Sequence, residues 1–222
     1  MTSTPASFRI LALIPLIAIV LAGCMGDGDK RSPQRPPPQP PRISSAEARQ
    51  CLADLGGLGV RYTALDDRSF GGGCTAFASV QLRDIGVPVT NLGAMTCPLA
   101  RTFAQWIQNG VRPAARVWLG SELVGVESMG TYSCRGVNGR STGRLSEHAY
   151  ANAVDVAAFV LADGRRITVK GDWRTQDENV RGFLKAIHNS ACRRFKTVLS
   201  PDYNAAHHDH FHLDMGRGPF CR

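Results

Sequence analysis

Histidine is concentrated near the end of the chain. In HHDHFHLDM, residues 207–215, four of the six histidines fall within six positions. If HFHLD is extended, side chains alternate between two faces. His210, His212 and Asp214 then share one face, and Phe211 and Leu213 share the other, which packs on a core. Two imidazoles about 7 Å apart along one strand can line a single cleft. One would bind a metal ion and the other would face a substrate. His207 and His208 precede the strand and are less constrained.

A catalytic zinc needs three protein ligands and one open position, so one or two histidines are not enough. Outside helical context the remaining histidine is His148, in SEHAYANAVDV, seven residues before Asp155. That spacing works if His148 ends a loop and Asp155 points inward from the strand that follows. Between Val154 and Val156, Asp155 is a buried carboxylate, and a buried charge needs a counter-charge. A metal ion or an arginine would serve. A His and an Asp seven apart, and a lone H-x-H, are each common. Their combination in one cysteine-rich chain is more specific.

The elements that must position these residues are mixed. Ser44-x-x-Glu47 has capping-box spacing ahead of the helix EARQCLADL, and Gly56-Gly57 ends it. VRYTAL and TAFASVQL read as strands joined through DDRSFGGG. Cys97-Pro98 opens a second helix with Leu99, Phe103, Trp106 and Ile107 at helical spacing. ARVWLG is expected as a strand, and GTYSCRGVNGRSTGRLSEH as loop. AVDVAAFVLADG is a strand running into a turn, with ITVKGDW as its partner. DENVRGFLKAIHNSACRRF is a helix whose buried stripe includes Val180, Phe183, Leu184, Ile187, Ala191 and Phe195. His188 borders that stripe in a structural role, and HFHLDM is the last strand. Helices and strands alternate without a βαβ rhythm, which predicts an α+β domain. Its small antiparallel sheet carries the zinc site between flanking helices.

Three segments are expected: an export signal over 1–23, a linker over 24–43, and a folded domain over 44–222. The signal has one charge, Arg9, then the 14-residue apolar run ILALIPLIAIVLAG, too short for a membrane span of about 20 residues. It ends in Leu21-Ala22-Gly23-Cys24, which is similar to the lipobox of bacterial lipoproteins, where the cysteine is lipidated. Prolines crowd residues 33–41 and favour an extended tether. Without residues 1–23 the chain carries 25 basic and 18 acidic residues, a charge of +7. An exported basic protein of this kind meets cell-wall polymers and anionic headgroups rather than nucleic acid. Six cysteines remain after Cys24, an even number that predicts disulfides in an exported chain. Nearest-neighbour pairing gives Cys51–Cys74, Cys97–Cys134 and Cys192–Cys221.

The pattern Ser146-x-His148-x6-Asp155 with His210-x-His212 resembles the zinc-site signature shared by lysostaphin-type enzymes, D-Ala-D-Ala metallopeptidases and the hedgehog signalling domain. TYSCR, SEHAYANAVDVAAF, ADGRRITVKGDW, FLKAIHNSACRRF, TVLSPDYNAAHHDHFHLDM and the final CR resemble the bacterial extensin-like C-terminal domain family, from about Cys51 to Arg222. The resemblance implies His148, Asp155 and His212 as Zn2+ ligands. It implies Asp209 as general base, His210 as the donor to an oxyanion, and Arg135 and Ser146 as substrate-binding residues. Many relatives carry glycine where this chain has Ala151. The function implied is hydrolysis of amide bonds in peptidoglycan stem peptides or cross-links, as an endopeptidase or carboxypeptidase. The alternative is a non-catalytic wall-binding or scaffold lipoprotein with a structural zinc. The expected setting is a monomer anchored through an N-terminal lipid, facing the periplasm from the outer membrane.

Overall fold

The computed structural model describes residues 1–2 and 43–222. The expected export signal, Cys24 and the proline-rich linker therefore lie outside the described residues, save Met1, Thr2 and Ile43. No helix among the described residues is long and apolar enough to cross a membrane.

The domain opens with α1 (Ser45–Gly57), started by a full capping box. Ser44 Oγ accepts from the Glu47 N–H at 3.2 Å, and Glu47 Oε2 accepts from the Ser44 N–H at 2.7 Å, which satisfies two otherwise orphaned donors. Six short strands follow: β1 (Arg61–Ala64), β2 (Arg68–Ser69), β3 (Thr75–Ala76), β4 (Ser79–Asp84), β5 (Val89–Thr90) and β6 (Met95–Thr96). The single strand expected over TAFASVQL is split into β3 and β4, because Ala78 between them takes a positive φ of 46°. Next come α2 (Cys97–Trp106), a π-turn over Ile107–Val111, and α3 (Arg112–Leu119).

ARVWLG is thus helical, not a strand. Its alternation of apolar residues imitates a strand, but Pro113 in the first turn and Gly120 in the left-handed C-cap are helix punctuation. Ala115 and Leu119, four apart, are buried, and α3 packs on a later helix, α5 (Glu178–Cys192). The second half of the domain runs β7 (Leu123–Gly130), β8 (Ala153–Leu161), β9 (Arg166–Thr168), α4 (Val169–Asp172), α5, β10 (Thr197–Leu199), β11 (Phe211–Asp214) and β12 (Phe220–Cys221). ITVKGDW pairs with β8 only through Ile167 and Thr168. Thr168 then caps α4, accepting from the Gly171 N–H.

The fold is α+β. Its main sheet has the order β12-β10-β11-β8-β7-β5, with β9 also on β8. Most pairs are antiparallel, and only the edge pairs β10–β12 and β5–β7 are parallel. Two smaller antiparallel sheets, β1-β4-β6 and β2-β3, complete it. Strand β8 is paired along both edges and almost wholly buried, which accounts for its near-continuous apolar run. On the core side, Trp106 packs edge-on against Phe159 and Phe195 and donates from Nε1 to the Ile187 carbonyl at 3.0 Å. Phe183 meets Phe159 edge-on.

Three disulfides brace the domain: Cys51–Cys97, Cys74–Cys134 and Cys192–Cys221. The third pair matches the nearest-neighbour expectation. Cys51–Cys74 and Cys97–Cys134 are corrected, because the chain folds α1 back on α2 before it reaches the loop after β7. That contact brings Cys51 to Cys97, with Cα atoms 6.1 Å apart, and leaves Cys74 for Cys134. Helix contact, not sequence distance, sets the pairing.

Candidate metal centre

Strands β8 and β11 run antiparallel with Asp155 opposite His212, Val154 opposite Leu213 and Ala153 opposite Asp214. Directly opposite residues project from the same face of a sheet. Phe211 and Leu213 are fully buried in the core with Val154 and Val156, each apolar side chain contributing about 1.5–3 kcal/mol by burial. That burial fixes the register. A slip by one residue in either strand would turn that strand's Asp155 or His212 into the core.

His148 comes from elsewhere. It sits in a 3-10 turn, Glu147–Tyr150, whose cap Ser146 accepts from the His148 N–H at 3.4 Å. The turn closes on Ala151 in the left-handed region, φ 54° and ψ 27°, a conformation that glycine takes most easily. Ala151 takes this left-handed turn without being glycine.

His148 Nε2, Asp155 Oδ1 and His212 Nδ1 form a triangle. Its edges are 3.1 Å (His148–Asp155), 2.9 Å (His212–Asp155) and 3.2 Å (His148–His212). A tetrahedral ion with bonds of about 2.0–2.1 Å has donor–donor edges of about 3.3 Å, so the donor set fits such an ion with little movement. The outward nitrogens are already committed. His148 Nδ1–H donates to the Thr131 carbonyl at 2.7 Å, and His212 Nε2–H donates to Asp214 Oδ2 at 2.9 Å. In the neutral rings both inward nitrogens therefore carry lone pairs, the arrangement that outer partners impose on metal-binding histidines.

Three buried acceptors this close repel one another unless a cation lies among them. Without a metal, a proton does so. Burial opposes charge on His212, but its hydrogen bonds to Asp155 and Asp214 outweigh burial and raise its pKa to about 9. Burial likewise opposes charge on Asp155, yet its close contacts with His148 and His212 hold its carboxyl far below the usual range.

The triangle lies in the wall of a cavity of about 440 Å³, which His210, His207, Arg135 and Ser146 also line. His210 Nδ1 meets Asp209 Oδ1 at 2.8 Å, and its Nε2 lies 3.6 Å from Asp155 Oδ1. Burial opposes the Asp209 charge, but the His210 hydrogen bond lowers its pKa. Arg135 Nη2 is 3.4 Å from Asp155 Oδ2, so the arginine weighed as a counter-charge for Asp155 is present beside the histidines. His207 bonds Asn204 and stacks near His210 and His212. Burial, aided by those neighbours, lowers its pKa to about 4, leaving it neutral near pH 7.

Asp214 was legible by alternation, though without a role. Thr131 contributes only a backbone carbonyl, which has no side-chain signature. Cys24 lies outside the described residues. Among the described residues one other group of donors is compact enough for an ion, His188 with Cys192 and Cys221, but those sulfurs are joined in a disulfide. His188 packs on Trp173 and Phe211, in keeping with a structural role.

The domain is thus a disulfide-braced α+β fold with a buried His–Asp–His donor triangle beside a cavity. The family described as Extensin-like protein C-terminus matches residues 49–222, and the chain belongs to that family. No curated protein and no solved structure matches it.

Proposed function

We propose that the protein is a zinc-dependent peptidase hydrolysing amide bonds in peptidoglycan stem peptides or cross-links. The observation that carries this reading is the triangle of His148 Nε2, Asp155 Oδ1 and His212 Nδ1 at the edge of a cavity. The likeness of the motifs to those of lysostaphin-type and D-Ala-D-Ala metallopeptidases supports it. Held by these three atoms, zinc would supply Lewis acidity and a water of lowered pKa.

The chain's own residues then divide the remaining work. His210 faces the cavity with Nδ1–H committed to Asp209, so Nε2 is its proton-exchanging atom. His210 Nε2 takes the attacking water's proton, and the ionised Asp209 stabilises the resulting imidazolium. The same Nε2–H donates to the oxyanion and delivers the proton to the leaving amine. The family resemblance implies Asp209 as the base. In this reading the proton passes through His210, and Asp209 is a positioning residue. Arg135 binds a substrate carboxylate through charge-assisted hydrogen bonds, and Ser146 holds the His148 turn at the cavity wall. A lipid on Cys24 and the proline-rich tether keep the monomer on the outer membrane, facing peptidoglycan.

The test is metal analysis followed by digestion of purified peptidoglycan. Wild type is expected to carry zinc and release fragments. His210→Ala and Asp209→Ala should keep zinc and release few or none, with an altered pH–rate profile for Asp209→Ala. His212→Ala should lose the metal. Zinc-loaded wild type that releases nothing would replace this reading with the wall-binding one.

A further inference from the structure

We propose that the mouth of the cavity selects peptides with at least two carboxylates, and that Arg144 and Arg217 bind them together with Arg135. The inference rests on the peptidase reading and names its substrate class. Three guanidiniums line the cavity, from Arg135, Arg144 and Arg217. The three carboxylates that also line it are engaged within the fold. Asp155 faces His148 and His212, and Asp214 accepts from His212 Nε2–H and the Gly216 N–H. Glu147 accepts from the Asn152 amide at 2.7 Å. Arg135 has a single, long contact with Asp155. Arg144 and Arg217 are exposed and have no acidic partner within 4.0 Å among the described residues.

A cavity that spends its acids internally and leaves guanidiniums at its rim attracts anions. The planar guanidinium fork matches a carboxylate in two-point contact. These arginines come from separate segments, two on the loop after β7 and one beyond β11, and the fold brings all three to one cavity. The rim has an apolar part as well: Tyr203 and Phe220 meet edge-on at 5.6 Å and remain 43% and 42% exposed. The mouth therefore suits a peptide that carries more than one carboxylate and a small apolar stretch. A neutral peptide would leave two cations without partners.

The test compares two forms of one stem peptide on the zinc-loaded full chain, identical except that the carboxylates flanking the cleaved bond are free or amidated. Binding is read by calorimetry and cleavage by chromatography. The free form should bind at least about tenfold tighter, and the preference should shrink in 0.5 M salt. Arg144→Gln and Arg217→Gln should each lower kcat/KM for the free peptide by about three- to tenfold, mainly through KM, with zinc content retained. The loss should be smaller on the amidated peptide. Equal binding and cleavage of both forms would overturn the carboxylate selection and leave the peptidase reading standing. Carboxylate-dependent binding with no cleavage would do the reverse.

Discussion

Replacing Asp214 by alanine tests the logic of the donor triangle without touching any of its three atoms. Asp214 Oδ2 accepts from His212 Nε2–H at 2.9 Å, and Oδ1 accepts from the Gly216 N–H at 2.8 Å. Without that carboxylate, neutral His212 is free to carry its proton on Nδ1, the atom that faces Asp155 and His148. Loss of such an outer partner typically weakens metal binding 10–100-fold, which is about 1.4–2.7 kcal/mol. Because metal stabilises the folded state by mass action, the gap in Tm between zinc-loaded and stripped protein should narrow by roughly 3–11 °C for a domain of this size. The stripped fold loses stability as well, since a buried donor left without its partner costs about 1–3 kcal/mol. Asp214→Asn keeps one acceptor oxygen for two donors and should fall between wild type and alanine. Zinc affinity is measured by competition with a chromophoric chelator. An Asp214→Ala protein that binds zinc within threefold of wild type would refute the assignment of His212 Nδ1 as a ligand.

Three further outcomes follow from the same structure. Gly218→Ala would drive its new methyl into the Lys196 backbone carbonyl; backbone cannot swing aside, so urea unfolding should show a loss of about 1–3 kcal/mol, with faster proteolysis at the C-terminal strand. Burial lowers the pKa of His188 below its ordinary 6.5, so between that value and the folded pKa the unfolded state binds more protons and stability falls as pH drops; a chelator-treated His188→Gln protein should show a shallower loss between pH 7.5 and 5.5, and an identical slope would refute the assignment. Cys74→Ser with Cys134→Ser removes the bridge next to Arg135 and should cost about 2–5 kcal/mol, raising KM for stem peptides while zinc stoichiometry stays at the wild-type level.

The helices and strands that carry the site could be read from the chain because their burial is periodic. Phe211 and Leu213 alternate with His212 and Asp214, and the capping box at Ser44 is a local signal. The alternation of ARVWLG misleads because it is embedded in a helix that continues past a π-turn, where the Arg112 N–H donates to the Ile107 carbonyl. No local pattern announces such a continuation. Strands β5, β6 and β12 have two residues each, too short for any period to register. The disulfide pairing depended on α1 reaching α2, a tertiary contact that sequence spacing does not encode.

The site itself divides the same way. Asp155 and His212 face each other because two strands with strong apolar faces leave one register, so their meeting follows from binary pattern once β8 and β11 are neighbours. His148 arrives by a different route. It is held by the Thr131 carbonyl, the Ser146 cap and the left-handed Ala151, of which only Ser146 has a readable side-chain signal. The arginines at the mouth are more remote still, since Arg217 follows β11 while Arg135 and Arg144 belong to a glycine-rich loop. Their meeting at one cavity, whose carboxylates are each engaged within the fold, shows only in the folded chain. A donor set is thus legible where strand pairing forces it. The cavity rim, built by loops that converge from distant segments, becomes legible only in the folded chain.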